Sequence, residues 1–264
     1  MDSVNKTLYI PLYGKSLVSR KGLFLHDPKA EKIWAEEGFP LKGKSKSKWL
    51  AYYMGMRAAV FDRWVSHCLE EEPDAVVLHL GCGLDSRCER VTGASGGWYD
   101  VDFSDVIRER QRYFCETERC HMVSADIRDV QWMDRLPGGK AIVVLEGVSM
   151  YLRLEELRQV LDATRKHFTE VRVLMDCYTE LAARASKVRN PINDVGVTQV
   201  YGLDDPKEAE VSGLRFCREL SMTPEDMIDT LSGLEKKIFR TLYAGGIAKR
   251  MYRLYEYTSG EDTQ

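Results

Sequence analysis

The sequence predicts a doubly wound α/β fold around a mostly parallel sheet, and three observations carry that expectation. From residue 73 onward, short β-branched runs alternate with segments of helical period. The first run, Val76-Val77-Leu78-His79-Leu80, breaks directly into Gly81-Cys82-Gly83, and residues 104–115 and 154–168 combine charged faces with apolar stripes. Strands linked through helical crossovers pair in parallel, because a parallel partner is reached only by a long return connection.

Taken in order, the first 44 residues read as irregular, with a helix fragment over residues 28–37. The alternation of Lys with Gly and Ser over 42–48 reads as a solvated loop or, on a sharper reading, as a lid over an anionic ligand. Trp49, Tyr52, Tyr53, Met56, Val60, Trp64 and Cys68 then recur at steps of three and four, the apolar stripe of an amphipathic helix that stops near Pro73. Residues 76–80 form the first core strand, and residues 98–101, 122–124, 141–145 and 171–175 supply four more. Thr223-Pro224-Glu225-Asp226 reads as a helix start with Thr as cap, and residues 237–242 and 251–257 as the last two strands. The whole chain, 1–264, is expected to be one domain, with 1–72 as an N-terminal helical or lid segment and 73–264 as the sheet-bearing core.

Composition narrows the function. With 44% hydrophobic and 30% charged residues the 264-residue chain is an ordinary folded protein, and a net charge of -3 argues against affinity for a polyanion, so no nucleic-acid partner is expected. The start lacks a basic-then-apolar leader, and the longest apolar runs fall far short of the roughly 20 residues a membrane span needs. A cytoplasmic location and no membrane partner follow as expectations. Seven cysteines scattered from Cys68 to Cys217 without CxxC pairs read as reduced thiols, with neither a disulfide frame nor a metal site expected.

The chemistry is signalled first by Leu80-Gly81-Cys82-Gly83-Leu84-Asp85 directly after a strand, where glycines let the backbone bend and approach a ligand. Asp102 stands 21 residues after Gly81 at the tip of the second strand, placed to accept from both ribose hydroxyls; capping the helix that begins near Ser104 is the competing role. A dinucleotide usually asks for a third glycine, where this chain has Ser86, and Asp85 would sit badly beside a pyrophosphate but tolerates a cationic sulfonium. S-adenosylmethionine is therefore favoured over NAD. Asp126, in Ser124-Ala125-Asp126-Ile127-Arg128, is placed to accept from an adenine amino group while the Ile127 N–H donates to the ring, with a plain surface Asp as the alternative. A zwitterionic methionyl tail needs a cation and an anion together. Arg57 and Glu146 fit, although Arg57 reads equally as a surface arginine on pattern alone.

These residues resemble the leucine carboxyl methyltransferase superfamily, above all its bacterial branch of polyketide-type (tetracenomycin-like) O-methyltransferases. The resemblance rests on Arg57, LGCGLDSR (80–87), YDVDFSDVI (99–107), SADIRD (124–129) and LEGVSMYL (145–152), with Asp27-Pro28-x-Ala30 as a weaker match, and it fades beyond about Tyr178. It implies a seven-stranded, Rossmann-like class I S-adenosylmethionine-dependent methyltransferase fold. It also implies that Arg57 grips the methionyl carboxylate, Gly81 and Gly83 line the cofactor, Asp102 with neighbouring Phe103 holds the ribose, Asp126 and Ile127 read the adenine, and Glu146 sits near the amino group. Cys82 stands where the family more often has alanine, and Ser104 where it has proline; neither change removes a polar contact. The acceptor-side segment 184–205 does not match the enzymes that esterify a phosphatase tail.

Methyl transfer from a sulfonium is an in-line displacement that depends mainly on orientation. A carboxylate acceptor is already ionised, whereas a phenol of pKa near 10 profits from a base. The sequence names no catalytic base: His79 and His121 lie in strands and read as bystanders, and Tyr151 is the candidate acceptor-pocket residue. The reading is thus an O-methyltransferase converting S-adenosylmethionine to S-adenosylhomocysteine and acting on a carboxylate or phenolic oxygen of a small, polyketide-like acceptor. Carboxyl methylation of a protein C-terminus, a non-catalytic cofactor-binding sensor or partner subunit, and an NAD-dependent oxidoreductase are the alternatives.

Overall fold

Residues 8–39, 41, 43–186 and 199–260 are described by the computed structural model. Asp27 caps a helix by accepting from the Ala30 N–H, with Pro28 supplying a preset first turn. That helix, α2 (Pro28–Glu37), packs against α1 (Tyr9–Arg20), which packs in turn on the long α3 (Lys48–Glu71), the helix that carries the apolar stripe read from the sequence. The expectation of an irregular N-terminal segment is corrected by α1: its buried face includes Gly14, Lys15, Ser16 and Ser19 among the apolar residues, so no clean apolar stripe marks it. Gly14 permits the packing, since a Cβ there would stand 2.9 Å from both the Ala51 carbonyl oxygen and the Met54 Cβ of α3. Of the Lys-rich stretch, Gly43–Lys46 is a single 3₁₀ turn and Lys48 opens α3, while Lys42 lies outside the described residues.

The sheet begins with β1 (Val76–Leu80), buried throughout. Next come the short helix α4 (Arg87–Arg90), β2 (Trp98–Asp102), α5 (Ser104–Arg110), β3 (Cys120–Ser124), β4 (Lys140–Leu145), α6 (Leu154–His167), β5 (Glu170–Tyr178) and α7 (Glu180–Ser186). β6 (Leu214–Glu219), α8 (Glu225–Ile228), α9 (Gly233–Tyr243) and β7 (Tyr252–Ser259) complete it. The seven strands stand in the order β3-β2-β1-β4-β5-β7-β6; β3 through β5 pair in parallel, and β7 runs antiparallel between β5 and β6. Alternate side chains of β1 feed two cores. Val77 joins the cluster under α1, α3 and α9, and Val76, Leu78 and Leu80 join the one under α6.

Two sequence expectations fail at the end of the chain. Residues 237–242 are not a strand but lie in α9, where Phe239 and Tyr243, one turn apart, stack at 5.4 Å and Phe239 meets Tyr52 of α3; a short apolar run does not reveal its period. The strand in that place is β6, whose charged Arg215, Arg218 and Glu219 hide an edge strand with one inward face. The helix expected over 104–115 ends at Arg110, and the N-cap position of α8 is Pro224 rather than Thr223, with no side-chain cap bond. The expectation of reduced thiols is corrected at one pair. Cys88 at α4 and Cys120 at β3 form a disulfide with Cα atoms 6.4 Å apart, a proximity that arises from chain topology and not from sequence spacing. No helix among the described residues is long and apolar enough to cross a membrane.

Replacing Gly14 by Ala should lower stability by about 1–3 kcal/mol through overpacking against the α3 backbone, read as a drop in the urea midpoint; an unchanged midpoint would show that the two helices separate freely.

Candidate active site

The carboxyl ends of β1, β4 and β5 surround a cavity of about 210 Å³ lined by Arg57, Gly81, Gly83, Glu146 and Tyr151, five of the residues singled out from sequence, together with Lys15, Tyr178 and Tyr252. It lies at the sheet edge where open α/β folds take their ligands. The turn after β1 is held to β2, since the Gly81 and Cys82 N–H groups both donate to the Val101 carbonyl. Gly81 adopts φ +70° and a Cβ there would run into Val148 Cγ2, so only glycine keeps this part of the cavity open.

Arg57 rises from α3 into this edge, fully buried. Its Nε donates to Glu146 Oε1 at 3.1 Å, and its Nη1 donates to Asp176 Oδ2 and to the Tyr252 hydroxyl, each at 2.8 Å. Its Nη2 makes no hydrogen bond among the described residues and borders the cavity. Burial opposes the guanidinium charge, but Tyr252, Asp176 and Glu146 outweigh it and hold its proton more firmly than usual. The surface-arginine reading is therefore corrected. Glu146 answers with both oxygens, the second accepting from Arg87 Nη2. Burial pushes its carboxyl upward, yet Arg87 and Arg57 more than offset this and bring it from an ordinary 4.5 down to about 2.

Arg87, the last residue of LGCGLDSR, was not singled out from sequence, yet it is a hub. It is fully buried, donates from Nε to Asp62 at 2.6 Å, and sets Nη1 3.2 Å from His79 Nε2. Asp85, also fixed by the glycine turn, accepts from Lys15 Nζ of α1 at 2.6 Å and from the Arg87 backbone N–H at 2.8 Å, and Arg90 lies 3.0 Å away. Burial raises its carboxyl, but Arg87, Arg90 and Lys15 hold it well below the usual range. Asp27 of the weaker Asp-Pro match joins the same network, accepting from Ser86 and Arg90. Five carboxylates, Asp27, Asp62, Asp85, Glu146 and Asp176, here meet four cations, Lys15, Arg57, Arg87 and Arg90. The acidic surplus suits a positively charged ligand, and the unspent Arg57 Nη2 suits its carboxylate.

Of the other predicted residues, Asp102, Phe103, Asp126 and Ile127 are not among those that line the cavity. Asp102 ends β2 and accepts the Gly83 and Phe103 N–H groups at 2.8 Å each, so it fastens the glycine turn; the N-cap position of α5 is Phe103, whose side chain supplies no cap bond. Burial pushes its carboxyl up, against those two donors. Phe103 is 42% exposed beside it. Asp126 follows β3 and is held in a bidentate pair by Arg128 at the surface, while Ile127 is buried. The Ala125 N–H donates to the Asp102 carbonyl, which sets the two strand tips side by side. Tyr151 ends a 3₁₀ turn after β4 and is half-buried at the cavity. Asp176, at the end of β5 as Glu146 is at the end of β4, was missed although the same strand-end logic applies to it. Tyr252 of β7 and Lys15 of α1 carry no local sequence signal.

The sheet order and the acid-lined cavity at its carboxyl edge are those of a class I S-adenosylmethionine-dependent methyltransferase. Within that class, the chain belongs to the leucine carboxyl methyltransferase family, whose model matches residues 3–165. It is similar to the tetracenomycin polyketide synthesis O-methyltransferase TcmP of Streptomyces glaucescens, 29% identical with 98% of this chain and 97% of the relative covered. It is also similar to the S-adenosyl-L-methionine-dependent methyltransferase dpfgK of Gibberella zeae, 29% identical over 66% of this chain and 64% of that one. Among solved structures, magnesium protoporphyrin IX methyltransferase from Synechocystis superposes with a TM-score of 0.51 at 12% identity, covering 88% of this chain and 94% of that one. The plantazolicin methyltransferase BamL does so with 0.50 at 8% identity, covering 98% of each. Both share the fold.

Removing Arg87 leaves buried acids uncompensated, so Arg87→Met should cost about 3–5 kcal/mol of stability; an effect below 1 kcal/mol in denaturant titration would refute the hub. Because the folded-state value of Glu146 lies below its ordinary one, its contribution is complete above pH 4.5 and is lost as pH falls toward about 2. The stability gap between the wild type and Glu146→Gln should accordingly be widest at neutral pH and narrow across that window.

Proposed function

We propose that this chain transfers the methyl group of S-adenosylmethionine to an oxygen of a small acceptor, a carboxylate or a phenolic hydroxyl of a polyketide-like metabolite, and releases S-adenosylhomocysteine. The observation that carries the reading is the Arg57–Glu146 pair beside the Gly81 turn: one buried cation with an unspent N–H pair and one buried carboxylate face a single cavity. Arg57 grips the carboxylate of the methionyl tail through Nη2, and Glu146 takes its amino group with lone pairs the two arginines leave over. Gly81 and Gly83 let the backbone come close. Asp102 accepts from the ribose with its remaining lone pairs, Phe103 covers that edge, and Asp126 with the Ile127 N–H reads the adenine.

The bound cofactor supplies an electrophilic methyl on a cationic sulfur. The chain's own residues supply position and field: Lys15 and Asp85 tie α1 across the glycine turn, and the acidic surplus favours the charged cofactor over its neutral product. The acceptor meets Tyr151, Tyr178, Met54 and Met150 on the apolar part of the wall. Tyr252 does not serve as base, because burial holds its phenol well above its ordinary value and its hydroxyl is spent on Asp176 and Arg57. A carboxylate acceptor needs none. The name of the TcmP relative supports a polyketide-type acceptor; a protein C-terminus is the second carboxylate reading, supported by the family's description.

Incubation with methyl-labelled S-adenosylmethionine and a panel of aromatic acids, phenols and peptides should label a small acid or phenol, and base should release labelled methanol from an ester but not from an ether. Arg57→Ala and Asp102→Ala should each weaken cofactor binding at least about tenfold in calorimetry, as each loses charge-assisted hydrogen bonds. Wild-type protein indifferent to both S-adenosylmethionine and S-adenosylhomocysteine would overturn the proposal.

A further inference from the structure

His79 sits in the middle of β1, fully buried, with its ring edge-on to Trp98 at 6.5 Å. Its Nε2 lies 3.2 Å from Arg87 Nη1 and its Nδ1 3.3 Å from Asp100 Oδ1. A guanidinium can only donate, so Nε2 must accept, which leaves the ring proton on Nδ1, on the side of Asp100, where it makes no well-formed hydrogen bond among the described residues. Asp100 is itself fixed: Oδ1 accepts from Trp98 Nε1 at 3.0 Å, and Oδ2 from Arg110 Nη2. Arg110 in turn donates from Nη1 to the Gly83 and Asp85 carbonyls of the glycine turn, at 3.1 and 2.6 Å.

We propose that His79 is a positioning residue, neutral with its proton on Nδ1, which orients Arg87 and through it Glu146 for the cofactor's amino end. The proposal rests on the cofactor reading of the cavity. Arg87 has an anion at each of its other faces, Asp62 at Nε and Glu146 at Nη2, with Asp85 3.6 Å from Nη2. His79 is the neutral acceptor that holds the remaining nitrogen, and a second carboxylate there would deepen the acidic surplus. A second proton on His79 would set N–H against N–H at Arg87 and add a cation beside it. The charged groups facing the ring from neighbouring elements are Arg87 of α4 and Asp100 of β2, with Arg110 behind Asp100.

Two measurements test this. The imidazole ¹⁵N spectrum of the ligand-free protein should show the Nδ1-protonated tautomer at His79. His79→Leu should raise the Kd for S-adenosylmethionine about tenfold with kcat within about twofold, while His79→Gln, whose amide oxygen reaches the place of Nε2, restores the Kd to within about threefold of wild type. An Nε2-protonated ring, wild-type affinity in His79→Leu, or a folded His79→Gln no better than His79→Leu would overturn the proposal. Wild-type protein that binds no S-adenosylmethionine would instead overturn the reading of the cavity and this role with it; the tautomer spectrum, which needs no cofactor, tells the two failures apart.

Discussion

Everything at the carboxyl edge depends on one buried chain of charged and polar groups. It runs from Asp100 on β2 through His79 on β1 to Arg87, crosses to Glu146 after β4, passes to Arg57 from α3, and ends on Asp176 of β5 and Tyr252 of β7. Ions out of water are tolerable only when each finds a partner of good geometry, so every member constrains the next. A cluster of this kind stabilises little relative to an apolar core of equal volume. What it does give is a guanidinium and a carboxylate with almost no freedom to turn, and a reaction that depends on alignment needs that rigidity.

Much of this was legible in the residues. β1, its glycine turn and the acids at the strand tips follow from a buried apolar run meeting residues that only a tight turn explains, and the amphipathic α3 follows from its period. Arg57 and Glu146, expected together because a zwitterion demands a pair, stand hydrogen-bonded to each other at the cavity. Arg87 was not expected there, since nothing local distinguishes a buried arginine from an exposed one; only its four neighbours from separate elements do. α1 was hidden for a related reason, with Lys15 and Ser16 buried by contacts made far along the chain. Residues 237–242 of α9 were read as a strand because a short apolar run does not reveal its period, and β6 went unread because its charged residues mask its one inward face.

The carboxylates divide into two kinds. Glu146 and Asp85 are held below their ordinary values by adjacent arginines and border the cavity, whereas Asp102 and Asp176 are pushed up by burial and are spent on backbone amides and on other members of the chain. The first kind supplies field and the second holds geometry. Asp102 illustrates the overlap, because the residue assigned to a ligand hydroxyl also ties Gly83 to β2.

Tyr252 lies on the strand that enters the sheet last in chain order, slotted between β5 and β6. During synthesis the N-terminal portions emerge first, so β1 to β5 can assemble while the arginine at their edge still lacks one of its anchors. A nascent chain at that point presents its glycine turn with a loosely held cation. The wall to which Tyr252 contributes is therefore complete only when the final antiparallel strand is in place.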